Sequence, residues 1–149
     1  MSGMFIQDLL TSGAMPSLEL TMRFAARRQE LLAHNIANLH TPNVRMRDVS
    51  PASFQAALGK AIGARRGATG GLHGEVEISR TREIRMRPDG SLALTPREGS
   101  GGILYQDRND RDLERLMQAQ AENMGVFRLA SDLLVLKHRQ IRDAIAERA

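Results

Sequence analysis

The residues of this sequence that could carry out chemistry are its histidines, serines and aspartates, one glycine-rich stretch and a few arginines. The histidines form no H-x-x-x-H pair, and the chain has no cysteine to complete a metal site with them; they are His34, His40, His73 and His138. Residues 59–74 lack the spacing of a phosphate-binding loop, and the serines and aspartates form no nucleophile arrangement. We expect no catalytic, cofactor-binding or metal site and therefore no enzyme.

The charge of the chain gives little support to a nucleic-acid partner. Its net charge of +4 is the difference between 21 basic and 17 acidic residues, so the two signs are mixed. Arg23, Arg27 and Arg28 form a basic patch on a predicted helix, which is more often a solvated face than a surface that follows phosphates. No apolar run approaches the length of a membrane span. We expect neither nucleic-acid binding nor direct insertion into a membrane.

The elements that must position any site are two long helices with heptad spacing. The first helix is predicted at residues 16–38. Its pattern advances alternately by four and three residues, through Leu18, Met22, Ala25, Gln29, Leu32, Ile36 and Leu39. Residues 109–147 place the second in the same way, through Leu113, Met117, Gln120, Met124, Phe127, Ser131, Leu134, His138, Ile141 and Ile145. A flanking stripe widens its apolar face, through Leu116, Val126, Leu133 and Leu136.

The middle of the chain, residues 39–108, has a different character. Residues 53–58 favour a short helix. Residues 59–74 contain six glycines in sixteen positions, which predicts a flexible linker or an interface loop that builds no core. Residues 82–95 alternate apolar and polar side chains around a turn, which predicts a β-hairpin peripheral to assembly. With 149 residues, the expected fold is a single, mainly α domain whose long terminal helices pack like a coiled coil.

The unequal lengths of the two helices suggest partners. At 1.5 Å per residue the first spans about 35 Å and the second about 58 Å, so one helix cannot cover the other. We therefore expect an assembly seam that packs mainly against other copies, formed by Leu18, Met22, Leu32, Ile36, Leu113, Met117, Met124, Phe127, Leu134 and Ile141. Leu134 and Ile141 should be buried only when a neighbouring copy docks, and the isolated chain should be largely unstructured or only weakly helical. The alternative is an antiparallel hairpin within one chain.

The end of the first helix carries an unusual pair, Asn35 and Asn38, which are poor residues for a helix interior. We expect Asn38 to leave the helix in a left-handed conformation and Asn35 to bond the backbone of residues 39–42. Pro42 then holds Thr41 extended. These residues predict a rigid exit from the helix.

Residues 33–42, AHNIANLHTP, resemble the signature A-N-N-I-A-N-x-x-T-P-G-Y of the flagellar rod and hook family, on Asn35, Ile36, Ala37, Asn38, Thr41 and Pro42. Four further segments are similar to FlgB-type proximal rod proteins, namely RQELL at 28–32, RDV at 47–49, DRNDRDLERLM at 107–117 and KHRQIRDAI at 137–145. The chain departs from the pattern where it has His34, Asn43-Val44, Arg108 and Arg111. The resemblance covers both ends of the chain and leaves out its middle.

The resemblance implies a structural subunit of the proximal rod in the bacterial flagellar basal body, needed for motility. Its implied partners are copies of itself, other rod subunits, the export gate and the membrane-ring base. It also implies a periplasmic location reached by flagellar type III export, which fits residues 1–13, where no cleaved signal is visible. Phe5 and Leu9 resemble the F-x-x-x-Φ pattern read at the export gate. The alternatives are another rod subunit or a small basic helical protein that binds nucleic acid.

Overall fold

The structure, a computed structural model, describes residues 13–98 and 113–147 of the chain. Its elements in chain order are α1 (Met15–Ala37), β1 (Arg47–Asp48), α2 (Pro51–Thr69), β2 (Ile84–Met86), β3 (Leu92–Leu94), β4 (Arg97–Glu98) and α3 (Leu113–Ala146). The predicted fold class is confirmed: the protein is mainly α, its long N- and C-terminal helices pack together, and its β-structure is small.

Helices α1 and α3 pack in opposite directions. Near the middle of α3, Asn123 donates hydrogen bonds to Ala25 and Gln29 of α1. Two turns earlier on α3, Leu116 packs with Leu32 and Leu39, which come later along α1 and its exit. The pair is therefore antiparallel, and the alternative of an antiparallel hairpin within one chain describes this part of the structure.

Helix α2 corrects the expectation of a linker at residues 59–74. Ser50 caps its start by accepting a hydrogen bond from the backbone N–H of Ser53 at 3.1 Å, and Pro51 occupies the first turn, where no N–H is needed. The helix runs on to Thr69 and ends at Gly70, whose φ of 68° is left-handed. The glycines at 59, 63 and 67 fall inside this helix, so they do not prevent a core from forming.

The main core lies between α1, α2 and the hairpin. Phe24 of α1 stacks on Phe54 of α2, with ring centroids 4.1 Å apart and planes 5° apart. Ile84 and Leu92 of the hairpin, 1% and 3% exposed, join the same cluster. The predicted hairpin is present, with Ile84 opposite Leu94 and Met86 opposite Leu92. Its apolar residues lie in the core, so the hairpin is an integral part of the fold.

Arg65 ties the end of α2 to the start of α1. Its buried guanidinium donates hydrogen bonds to the carbonyl of Gly13 at 2.8 Å, of Gly71 at 3.1 Å and of His73 at 3.2 Å. Charged donors of this kind make strong hydrogen bonds to carbonyl oxygens. The start of α1 is therefore fixed by α2, and the sequence alone gave no sign of this contact.

Candidate assembly surface

Asn35 holds the strand that follows the helix exit. Its side chain is 2% exposed, and its amide nitrogen donates to the carbonyl of Arg47 at 2.7 Å. Its amide oxygen accepts the backbone N–H of the same residue at 3.2 Å. The prediction that Asn35 bonds to the backbone of residues 39–42 is wrong, because the chain turns after Pro42 and brings β1 back beside α1. The amide thus satisfies both polar groups of one peptide position, as a neighbouring strand would.

Asn38 does not take the predicted left-handed conformation. Its φ is −101° and its ψ is 12°, and its amide nitrogen donates back to the carbonyl of His34 at 2.9 Å. The hydroxyl of Thr41 donates to the Asn38 side-chain oxygen at 3.3 Å. The reversal comes five residues later, at Asn43, with a φ of 61°. The exit is built by successive tight turns, so no single left-handed residue is needed at the helix end.

Arg28 is not part of a solvated basic patch, which corrects that expectation. Arg23 and Arg27 are exposed and lie near Glu19 and Glu30, whereas Arg28 is buried. Its guanidinium donates to the two carboxylate oxygens of Asp48 at 2.9 and 2.6 Å. This bidentate pair and the Asn35 contact fix β1 to α1 at two adjacent residues.

The predicted seam on α1 is partly covered within the chain. Leu32 is 1% exposed and lies in a cluster with Leu39, Met46 and Leu116, against which Ile36 packs. Leu18 and Met22 are half-buried. The expectation that the seam waits for other copies is therefore wrong for Leu32, which the chain itself buries.

The predicted seam on α3 is only partly the face that meets α1. The buried residues of α3 are Leu116, Asn123, Ala130 and Leu134, of which only Leu134 belongs to the predicted seam. Leu134 is 7% exposed in the single chain, so the expectation that it waits for a neighbouring copy is wrong. Ile141 is half-buried, and the remaining seam residues lie exposed, namely Leu113, Met117, Met124 and Phe127. The prediction chose large apolar side chains for the buried face, whereas a polar Asn123 and a small Ala130 occupy part of that face.

On one side of the helix pair, two of the exposed seam residues, Met124 and Phe127, border a cavity of about 690 Å³, which we call the groove. Ala25, Ala26 and Gln29 of α1 line one wall, and Met124, Phe127 and Ser131 of α3 line the other. Met124 is 58% exposed and Phe127 is 40% exposed. The groove is an apolar cleft between two helices, a shape that suits the apolar face of a third helix.

A second uncovered surface, the ridge, lies elsewhere on α3. It consists of Val126, Leu129, Leu133 and Leu136, which are between 38% and 62% exposed. Nine residues at about 100° each separate Met124 from Leu133, so the ridge and the groove lie on opposite sides of the helix. Its spacing of three, four and three is that of a helix seam. Val126, Leu133 and Leu136 belong to the flanking stripe predicted from the sequence, which did not include Leu129, and the sequence did not reveal that these residues are uncovered.

Several predicted residues lie outside the described part of the chain. These are the export-motif residues Phe5 and Leu9 and most of the motif at 107–117. Within the described residues, no group of three or more metal-binding side chains occurs. None of the described helices is long and apolar enough to cross a membrane.

Comparison with known protein families found no family model that matches this chain. Comparison with curated proteins found no match either. The groove and the ridge are apolar surfaces that the described part of the chain leaves exposed.

Proposed function

We propose that this chain is a structural subunit of the proximal rod of the bacterial flagellar basal body. It self-assembles with other axial proteins of the rod and is needed for motility. The resemblance to FlgB-type proteins lies mainly on the two helices that pair in the fold. Asn35, the central residue of that resemblance, is buried and bonded at the helix exit. The motif thus has a physical task in this chain that is independent of the resemblance.

The observation that carries the proposal is the uncovered apolar surface of α3. Leu129 is 62% exposed, Met124 58% and Leu136 50%, on a helix already packed against α1 on its other face. Exposed apolar surface of this extent marks an interaction site in a soluble protein. A helix that packs on one face and presents two more suits a subunit surrounded by neighbours in a polymer.

The proposal includes the route and the contacts that the resemblance implies. The chain is delivered by the flagellar type III export system and resides in the periplasmic part of the basal body. Its partners are copies of itself, other rod subunits, the export gate and the membrane-ring base. The protein acts as a building block, with no catalytic step and no cofactor.

A pull-down of the purified chain against candidate rod and export-gate proteins tests the proposal. We expect capture of at least one rod subunit, and weaker capture by a Leu133→Asp variant. A Glu77→Ala variant, changed at an exposed residue away from α3, serves as the matched control. Binding of DNA that weakens steeply with salt, without capture of any rod protein, would instead support the nucleic-acid alternative.

A further inference from the structure

The end of α2 and the start of α1 meet at a cluster of backbone carbonyls around Arg65. The guanidinium donates to the carbonyl oxygens of Gly13, Gly71 and His73 at 2.8, 3.1 and 3.2 Å. The backbone N–H of Gly13 donates in turn to the carbonyl oxygen of Leu72 at 3.3 Å. These four hydrogen bonds, which we call the latch, join the chain just before α1 to the loop that follows α2.

Arg65 is also the main attachment of the last two turns of α2 to the rest of the fold. The buried residues of this helix are Phe54, Ala57, Ala61 and Arg65. The first three belong to the main core, whereas residues 63–69 contribute no side chain to that cluster. The first part of α2 is therefore held by apolar packing, and its last two turns are held by the hydrogen bonds of one buried guanidinium.

The same two turns have little intrinsic stability. Gly63 and Gly67 lie within them, and glycine destabilises a helix interior relative to alanine. A Cβ added at either glycine would meet no atom within 4 Å, so no neighbouring element packs there. In the loop beyond, Leu72 is 74% exposed and adds no apolar anchor. Segments with few buried apolar contacts are the ones that open locally while the rest of a protein stays folded.

We propose that the latch opens independently of the main core and controls how readily the N-terminal end of the chain leaves the fold. Because one guanidinium serves both segments, its release frees the start of α1 and the end of α2 together. The stack of Phe24 on Phe54 stays packed in the open form. Under the proposed function the same end carries the export motif, Phe5 and Leu9, so the latch controls when that motif is presented. This last consequence alone rests on the proposed function.

Native-state hydrogen exchange in increasing urea tests whether the latch opens by itself. The amide of Gly13 donates to Leu72, and the amide of Gly70 donates to the carbonyl of Arg66, so the two report on opposite sides of the latch. We expect both to exchange through an opening that depends weakly on urea, because it exposes little surface. The amide of Phe24, in the middle of α1, should show the steep dependence of global unfolding.

Substitutions at two neighbouring arginines of α2 test whether Arg65 is the residue responsible. Arg65→Met removes every donor of the side chain and should accelerate exchange at Gly13 and Gly70 together, by roughly ten- to a hundredfold. Arg66→Met makes the same change at the next position, where the side chain is exposed, and should leave both exchange rates nearly unchanged. Arg65→Lys keeps the charge but loses the planar fork of donors, so its exchange rates should fall between those of Arg65→Met and the unmodified chain.

Several results would overturn the independent latch. Exchange of Gly13 and Gly70 with the same steep urea dependence as Phe24, or an Arg65→Met chain without helical structure, would make the latch part of the cooperative core. Acceleration at Gly70 alone would show that Arg65 does not hold α1. Equal acceleration in Arg66→Met would trace the effect to the helix itself. None of these measurements involves a rod protein, so the pull-down tests the proposed function separately.

Discussion

Helices α1 and α3 have similar apolar periodicity but very different surroundings. Seven of the 23 residues of α1 are buried, compared with four of the 34 residues of α3. Helix α1 contacts α2, β1, β3 and α3, whereas the main neighbour of α3 is α1 alone. Two similar sequence patterns therefore have different outcomes: α1 organises the fold of the chain, and α3 leaves much of its apolar surface exposed.

The two helices should differ most in how much a substitution lowers the free energy of unfolding. Phe24→Ala removes the ring stacked on Phe54 and should lower the free energy of unfolding by about 3–5 kcal/mol. Leu129→Ala, on the exposed ridge, should change it by less than about 0.5 kcal/mol. Urea unfolding followed by circular dichroism measures both. Similar losses in the two variants would mean that α3 is as deeply embedded as α1.

Substitutions at two neighbouring leucines of α3 should affect different properties, the stability of the fold at Leu134 and partner capture at Leu133. Leu134 is buried in the single chain, so Leu134→Asp should destabilise the fold by about 2–4 kcal/mol. Leu133 is 38% exposed, so Leu133→Asp should leave the melting temperature nearly unchanged and reduce partner capture. Thermal melts and pull-downs on the same two preparations separate the effects. A stable Leu134→Asp protein would place that residue outside the core.

The two asparagines at the exit of α1 should differ in the same way. Asn35→Ala leaves the backbone of Arg47 without its partners and should lower the free energy of unfolding by about 1–3 kcal/mol. Asn38→Ala loses a bond from a more exposed side chain to the carbonyl of His34 and should lower it by about 0.5–1 kcal/mol. The difference between their denaturation midpoints is the measurement. Equal effects would mean that the two hydrogen bonds from Asn35 to the backbone of β1 stabilise the fold no more than an ordinary helix cap does.

The smallest effect is expected at the hairpin turn. Hydrogen bonds from the hydroxyl and then the backbone N–H of Ser91 lower the pKa of the Asp89 carboxyl below its usual value. A lowered folded pKa means that the stabilisation is present above the unfolded pKa and is lost as pH falls through the folded pKa. The melting temperature of the protein should exceed that of Asp89→Asn slightly near pH 6. This difference should disappear in acid, and a difference that grows in acid would contradict the assignment.

Periodicity was sufficient to predict α1, α3 and the hairpin. Apolar side chains recur every three or four residues in the helices and every second residue in the strands. Helix α2 carried a similar signal, with Phe54, Ala57 and Ala61 at helical steps after a Ser-Pro start. The glycines at 59, 63 and 67 outweighed that signal in the prediction. They are tolerated because they lie on the exposed side of α2, where an added Cβ would meet nothing within 4 Å.

The candidate surface was harder to predict because α3 carries apolar residues on three sides. Met124, Leu133 and Leu134 are similar in size and hydrophobicity, yet only Leu134 is covered. Which side is covered depends on where α1 lies, and on the covered side Asn123 donates a hydrogen bond to the carbonyl of Ala25. A polar residue among apolar ones gave no indication of a buried face. The partners of Asn35 and Arg28 likewise depend on the return of β1, a tertiary feature without a local sequence signal.

The contact between Asn35 and residue 47 engages only the main chain of its partner. Every residue type except proline, which lacks the N–H, can therefore stand at position 47 without breaking it. Position 35, in contrast, needs a side chain that offers a donor and an acceptor side by side. Substitutions at position 47 can therefore change the outer surface of β1, while the amide of Asn35 keeps the main chain on the same path.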